Sequence, residues 1–413
     1  MERIGWNAGG DGSVGSGGGV SGHRPVPRER LVIPGLVNAH THAAMAVLRG
    51  LGDGLPLDDW LGVVQAAEAR LTHDDLYWSL QLGLCELIRN GTSCFADMFF
   101  WDERLIDSVI EAGLRVSAAP AVFGLDMVGW PLAGGRTAGA QIAHTESLAS
   151  TYAGEPLVQI MYGPHAPYTC GETVLRRIGA RAAETGLGVH THLSETKHEV
   201  TESLARCGLT PVQAAAEAGL LNARTLIAHG TWLTPADIEL VAEAGASVAH
   251  CPQSNLKLGS GIAPVVEMVD AGVRVAIGTD GPASNDALDM LREMRLAASL
   301  QRGASCDAGA LAADEVLGMA TANGSSALGF DVTGPGGAPA DYAVLDASGA
   351  RAASWSGAGG FIAWSAVGHD VTDLVVGGRA LLRDRELLTI DEERVLFEID
   401  RIRRRLGVGE SAA

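Results

Sequence analysis

Two histidines one residue apart, His40-Thr41-His42, close an apolar run that begins at Leu31, and residues at that spacing project to the same side of an extended strand. Alone, the pair is as consistent with two incidental loop histidines as with two ligands. Three further runs end in related chemistry: His190-Thr191-His192-Leu193-Ser194-Glu195, Ala228-His229-Gly230 and Gly278-Thr279-Asp280-Gly281. Imidazoles from His40, His42 and His192 with the Asp280 carboxylate form a donor set of borderline softness that suits Zn²⁺, with Fe²⁺ as the alternative. One divalent ion held there would lower the pKa of a bound water from about 15.7 to ~7 and so supply a nucleophile at neutral pH. Asp280, Glu195 and His229 are the candidate proton-handling residues. Asp280 would orient the water and take its proton, His229 would hold the water or the developing oxyanion, and Glu195 would carry a proton to the leaving side of the substrate. A plain surface carboxylate is the other reading of Glu195.

Such residues need a scaffold that gathers strand ends. Eight β-type runs can be counted, at 31–42, 92–98, 114–123, 157–166, 187–195, 225–233, 247–255 and 274–281. Stretches of helical period lie between them, such as Asp74 to Asn90 and Glu172 to Thr185. Eight such units close a (β/α)8 TIM barrel, an α/β fold whose functional groups collect at the C-terminal ends of the strands. The expected divisions are a flexible Gly-rich N-terminus over 1–30, the barrel over 31–330, a small β module over 331–390 and a C-terminal helix and tail over 391–413. Only about thirty residues precede the first run, so the β module should be N-terminally reduced, with dimerisation able to cover what is left exposed.

Bulk properties narrow the partners. With 413 residues, 47% hydrophobic and 19% charged, the chain can bury a large core. A formal charge of −19 repels phosphate backbones and anionic lipid, and the only basic cluster is Arg401-Ile402-Arg403-Arg404-Arg405, so neither nucleic acid nor membrane is expected as a partner. No apolar run nears the ~18 residues of a membrane span, no apolar h-region opens the chain, and a cytoplasmic protein is expected. The six cysteines form no C-x-x-C pair and read as reduced and mostly buried.

Pro34-Gly35-Leu36-Val37-Asn38-Ala39-His40-Thr41-His42, His190 to Thr196, His250-Cys251-Pro252-Gln253-Ser254-Asn255-Leu256-Lys257-Leu258 and Gly278 to Gly281 together resemble the amidohydrolase superfamily. Within it they resemble the branch holding S-adenosylhomocysteine/5′-methylthioadenosine deaminases and triazine chlorohydrolases. The likeness runs from about Ile33 to Thr389. It implies His40, His42, His192 and Asp280 as ligands of one metal, with Glu195, His229 and Asp280 moving protons. Binuclear relatives use a carboxylated lysine at the end of the fourth strand, and Gln159-Ile160-Met161-Tyr162-Gly163-Pro164-His165 has none, so the resemblance implies a single ion. His190 shares a strand face with His192 and would support the site without binding the metal.

The same resemblance suggests a substrate. His165, in Gly163-Pro164-His165-Ala166-Pro167-Tyr168-Thr169, matches the deaminase histidine that contacts the purine, and an imidazole can both donate and accept. Packing is its alternative role. Trp60, expected in the loop after the first strand, could line an aromatic face or sit in the core. Glu68 aligns with a glutamate that binds ribose hydroxyls, although Gln65-Ala66-Ala67 precedes it where relatives carry a Trp-Pro pair; a helix-surface carboxylate is the alternative. Arg136 resembles one of two arginines that grip the amino-acid end of S-adenosylhomocysteine, but the second is missing from 117–122, which favours a shorter 5′ group. The expected reaction is hydrolytic deamination of an adenosine-type nucleoside to its 6-oxo product with release of ammonia, by a homo-oligomer, dimer or tetramer. A guanine-type or triazine deaminase or chlorohydrolase, acting on a related heteroaromatic amine, is the rival enzyme. A non-enzymatic scaffold should have lost a ligand or proton-transfer residue, and all are filled.

Overall fold

A computed structural model describes residues 30–124, 137–330, 340–355 and 357–408. Eight parallel strands, each paired with the next in chain order, form the central sheet: β2 (Leu36–Thr41), β3 (Thr92–Phe99), β4 (Arg115–Val122), β5 (Val158–Pro164), β6 (Gly188–Leu193), β7 (Thr225–His229), β8 (Ser247–His250) and β9 (Arg274–Ile277). Helices cover the outside, so both faces of the strands are buried. This is why β2, β3 and β4 are buried at every position and read in sequence as near-continuous apolar runs. The expected (β/α)8 barrel is the fold observed.

The seam between β9 and β2 is closed by side chains as well as backbone. The Asp280 amide donates to His40 O at 2.9 Å, the Thr279 amide donates to Asn38 Oδ1 at 3.0 Å, and Asn38 Nδ2 donates to Thr279 Oγ1 at 2.7 Å. Gly278 is required here, because a Cβ on it would lie 2.8 Å from the His40 amide nitrogen.

A second, antiparallel sheet has the order β1 (Arg30–Pro34), β10 (Tyr342–Asp346), β11 (Val371–Val376), β12 (Arg379–Arg383) and β13 (Glu386–Leu387). The first run of the sequence, 31–42, is therefore not one strand. It breaks at Gly35, whose amide turns to Asp341 O, and where a Cβ would sit 2.3 Å from Ser93 Oγ. Residues 30–34 pair with 342–346 rather than with the barrel. Residues 1–29, the bulk of the stretch expected to be flexible, lie outside the described residues.

Arg115 at the start of β4 ties the two sheets together. Its Nε and Nη2 donate to the two oxygens of Asp341 at 2.7 and 3.0 Å, and Asp341 Oδ1 also accepts the Gly377 amide at 2.8 Å. The C-terminal helix Glu392–Leu406, N-capped by Asp391, packs on the helix His73–Arg89. Its basic run is occupied: Arg401 binds Glu398, Arg404 binds Asp400, Arg405 binds Asp75, and Arg403 donates to Val47 O. All six cysteines are free, four of them buried, and among the described residues no helix is long and apolar enough to cross a membrane.

Removing one partner of a buried bidentate pair strands the other charge, at a cost of about 3–5 kcal/mol. Asp341→Ala is therefore expected to lower the urea midpoint by that equivalent, and Arg115→Met combined with Asp341→Ala to recover most of it. A single-variant loss below about 1 kcal/mol would remove the linking role assigned to the pair.

Candidate active site

At the C-terminal mouth of the barrel the ligand atoms of His40, His42 and Asp280 lie within 4.8 Å of one another, as do those of His40, His192 and His229. The four imidazoles are aimed by their outer nitrogens. His42 Nδ1 donates to Met98 O at 2.6 Å and His192 Nδ1 to His165 O at 2.7 Å; His229 Nδ1 meets Asn255 Oδ1 at 2.8 Å and His40 Nδ1 meets His190 Nε2 at 2.8 Å. An acceptor at Nδ1 keeps the proton there and leaves Nε2 as a bare lone pair. The Nε2 atoms of His40 and His42 both lie 3.2 Å from Asp280 Oδ1, yet His40 Nε2 is buried and makes no aligned hydrogen bond. Lone pairs that converge on a carboxylate oxygen without being satisfied by it are what a divalent cation requires.

Charge balance agrees. Burial would push Asp280 up, but the close imidazoles of His40 and His42 outweigh it and hold the carboxyl well below its usual range. Burial likewise presses on His42, yet Asp280 raises it to about 9, while burial carries His40 down to about 4. The anion thus draws one positive charge to this point, a place a metal ion can take. Asp280 Oδ2 is occupied by the hydroxyls of Ser254 at 2.6 Å and Ser284 at 2.7 Å, which turns Oδ1 inward.

Backbone geometry sets the residues facing this cluster. Ser194, His229 and Asp280 all have positive φ, at 53°, 70° and 62°, although none is glycine. Each such residue costs roughly 1–2 kcal/mol, stored where β6, β7 and β9 hand over to their loops. Asp280 lies beyond the last residue of β9, so the polar end of that run is a turn rather than strand. Glu195 is buried, which raises its carboxyl, and its Oε1 stands 3.8 Å from His229 Nε2.

A cavity opens on the cluster. His42, His165, His192, Glu195, His229 and Asp280 line its floor, and Trp60, Glu68, Phe99, Phe123, Tyr168 and Leu258 its walls. Trp60 is not in a loop but in the helix Leu57–Glu68, because Pro56 and the acidic residues Asp58 and Asp59 start a helix there. It is buried, with Nε1 donating to Leu51 O at 3.2 Å, and it lines the cavity. Glu68 is buried at 3% exposure rather than on a helix surface, and neither of its oxygens has a hydrogen-bond partner. Burial pushes it up to about 8, with His42 pulling the other way. His165 is pushed down to about 3 by burial, and its Nδ1 meets Thr169 Oγ1 at 3.0 Å. Arg136 lies outside the described residues.

Several contributors carry no strong signal in the sequence. Tyr168, Phe99 and Phe123 are ordinary apolar or aromatic positions until the barrel closes. Asp97, pushed up to about 7 by burial, accepts the Ala43 amide at 2.5 Å and so holds the chain just after His42. Ser284 could have been found as the residue four after Asp280. His250, at the end of β8, is buried with neither nitrogen hydrogen-bonded, and burial lowers it to about 3.

Comparison with known proteins agrees in family and fold. A family model described as "Amidohydrolase family" matches residues 31–380. A 5-methylthioadenosine/S-adenosylhomocysteine deaminase of Dictyoglomus thermophilum is 40% identical over 379 residues, 91% of this chain and 87% of the relative. A 5′-deoxyadenosine deaminase of Methanothermobacter thermautotrophicus is 40% identical over 370 residues, 89% of this chain and 85% of the relative. Among solved structures, an adenosine deaminase from Xanthomonas campestris with bound zinc superposes with a TM-score of 0.86 at 34% identity, covering 91% of this chain and 86% of its own.

A carboxyl raised from 4.5 to about 8 on folding contributes stability that is complete below pH 4.5 and is lost as pH rises toward 8. Glu68→Gln removes that loss. In metal-free, substrate-free protein the variant should match wild type at pH 4.5 and exceed it by about 2–4 kcal/mol at pH 8, read from urea midpoints. A constant difference between the two pH values would show that Glu68 is not held neutral by burial.

Proposed function

The chain belongs to the amidohydrolase family, and on that premise we propose that it is a metal-dependent hydrolytic deaminase of adenosine-type nucleosides. The observation that carries the choice of substrate is Glu68: a buried carboxylate without partners, in an aromatic-lined cavity that ends at the His/Asp cluster. A vicinal ribose diol supplies the two donors that such a carboxylate lacks. Neither a triazine nor guanine has one. The names of relatives at about 40% identity, which include 5-methylthioadenosine/S-adenosylhomocysteine and 5′-deoxyadenosine deaminases, support the same reading.

His40, His42 and His192 through Nε2 and Asp280 through Oδ1 would hold one Zn²⁺, which when bound lowers the pKa of coordinated water to ~7. His229 belongs to the same cluster of ligand atoms, but its contact with Glu195 supports a role in hydrogen bonding the attacking water. Asp280, its outer oxygen fixed by two hydroxyls, accepts a proton from that water. Glu195, whose carboxyl burial raises, gives a proton to ring N1, which makes C6 electrophilic. Water oxygen adds to C6; the amino nitrogen takes the proton held by Asp280 and leaves as ammonia as the C6–N bond breaks, while the remaining hydroxyl proton passes to Glu195, giving the 6-oxo product with N1 protonated. His165, neutral because burial lowers it, can offer hydrogen bonds to another ring edge without adding charge. Phe99, Phe123 and Trp60 supply apolar walls that exclude bulk water.

The test is ammonia release from adenosine, 5′-deoxyadenosine, methylthioadenosine, S-adenosylhomocysteine and aminofutalosine, with guanine and atrazine as contrasts. At least one adenosine derivative should turn over and the contrasts should not; the reverse pattern would replace this assignment with the triazine or guanine one. Glu195→Gln should lower kcat by about 10²–10⁴-fold. Chelation should abolish turnover, and added Zn²⁺ should restore it.

A further inference from the structure

The turn that carries Glu195 is held in an unexpected way. Ser194 sits at φ 53°, a left-handed conformation that residues with a Cβ rarely take. Its carbonyl accepts the Trp232 amide at 2.9 Å, which pins one side of the turn. On the other side the Glu195 amide donates to Glu199 Oε2 at 2.7 Å. Glu199 lies in the first turn of the helix Lys197–Cys207, three residues after its N-cap Thr196, whose hydroxyl accepts the Glu199 amide at 3.0 Å.

Thr196-Lys197-His198-Glu199 is the sequence of a capping box, in which the acid at the third helical position reaches back to the amide of the N-cap itself. Among the described residues such boxes close at three other helices capped by threonine. Asp75 accepts the Thr72 amide at 2.7 Å, Gln213 the Thr210 amide at 3.0 Å, and Asp237 the Thr234 amide at 2.9 Å. At Thr196 the box is left open. The Glu199 carboxylate passes the N-cap and takes the amide one residue earlier, that of Glu195. It does so while buried, with its other oxygen, Oε1, making no hydrogen bond. A glutamate placed only to start a helix would satisfy the helix.

From this geometry we infer that Glu199 is a positioning residue for the deamination: its carboxylate fixes the backbone at Glu195, so that the Glu195 side chain faces His229 and the cavity. The inference rests on the role given to Glu195 under the deaminase reading. Glu199 lines a second cavity, and not the one that opens on the His/Asp cluster, so it acts through Glu195 rather than on the substrate.

Glu199→Ala and Glu199→Gln in the zinc-loaded enzyme decide it, read by kcat and KM for ammonia release from the best substrate of the panel, by zinc content, and by amide hydrogen exchange across residues 193–197. The alanine variant should lose about 10- to 100-fold in kcat with KM within about threefold, full zinc content and faster exchange confined to the Glu195 amide. The glutamine variant still offers an oxygen to that amide and should recover to within about fivefold of wild type. Unchanged kcat in the alanine variant, a glutamine variant as poor as alanine, or a loss that tracks zinc release or global exchange would each overturn the inference. If wild type releases no ammonia from any adenosine derivative, the deaminase reading fails on its own. The anchoring is then still decided by exchange, and unchanged protection of the Glu195 amide in Glu199→Ala refutes it.

Discussion

The closure of β9 onto β2 is the contact on which the rest of the molecule depends. Asp280 donates its amide to His40 O, and its carbonyl accepts Thr41 Oγ1 at 3.1 Å across 239 positions of sequence. One junction therefore completes the barrel and sets a carboxylate beside two imidazoles. The hydrogen bonds between Asn38 and Thr279 fix the register of that junction. A slip by one residue would turn His40 and His42 away from the interior.

Around the junction the fold keeps features that cost stability. Three non-glycine residues hold left-handed backbone, and Glu68 is buried without partners. Strain and unsatisfied groups of this kind persist only where surrounding structure over-determines them. The surroundings here are strands buried on both faces, helices with closed capping boxes at Thr72, Thr210 and Thr234, and the Arg115–Asp341 pair that seats the small sheet against the barrel.

The electrostatics of the site follow from burial. Burial keeps most of these imidazoles neutral: His40, His165, His190, His192 and His250 are all pushed down. Only His42, in the direct field of Asp280 and close to Asp97, is raised. Imidazoles lowered by burial and gathered around one anion suit a compact cation. The carboxyl of Glu195, raised by burial, stands beside the cluster, 3.8 Å from His229 Nε2.

The sequence by itself determined the barrel and the chemical types at its mouth. Period-2 spacing placed His40 with His42, and four runs ending in His, Glu or Asp can converge only if eight strands close. It did not determine where strands stop. The run 31–42 reads as one strand because Pro34-Gly35 is apolar on both sides, and only the approach of Ser93 and Asp341 shows that Gly35 is a break between two sheets. The sequence leaves Trp60 open between lining a substrate and sitting in the core, and Glu68 between a ribose contact and a helix surface, because local sequence does not say which neighbour covers a face. Thr196-x-x-Glu199 has the spacing of a capping box, yet the carboxylate meets the Glu195 amide instead, since a side chain's nearest amide depends on how the preceding turn is folded. Residue type and spacing are local and survive in the sequence. Which oxygen faces which nitrogen across the barrel, and which carboxylate is left unpaired, is set by contacts between distant segments, and only the tertiary structure decides it.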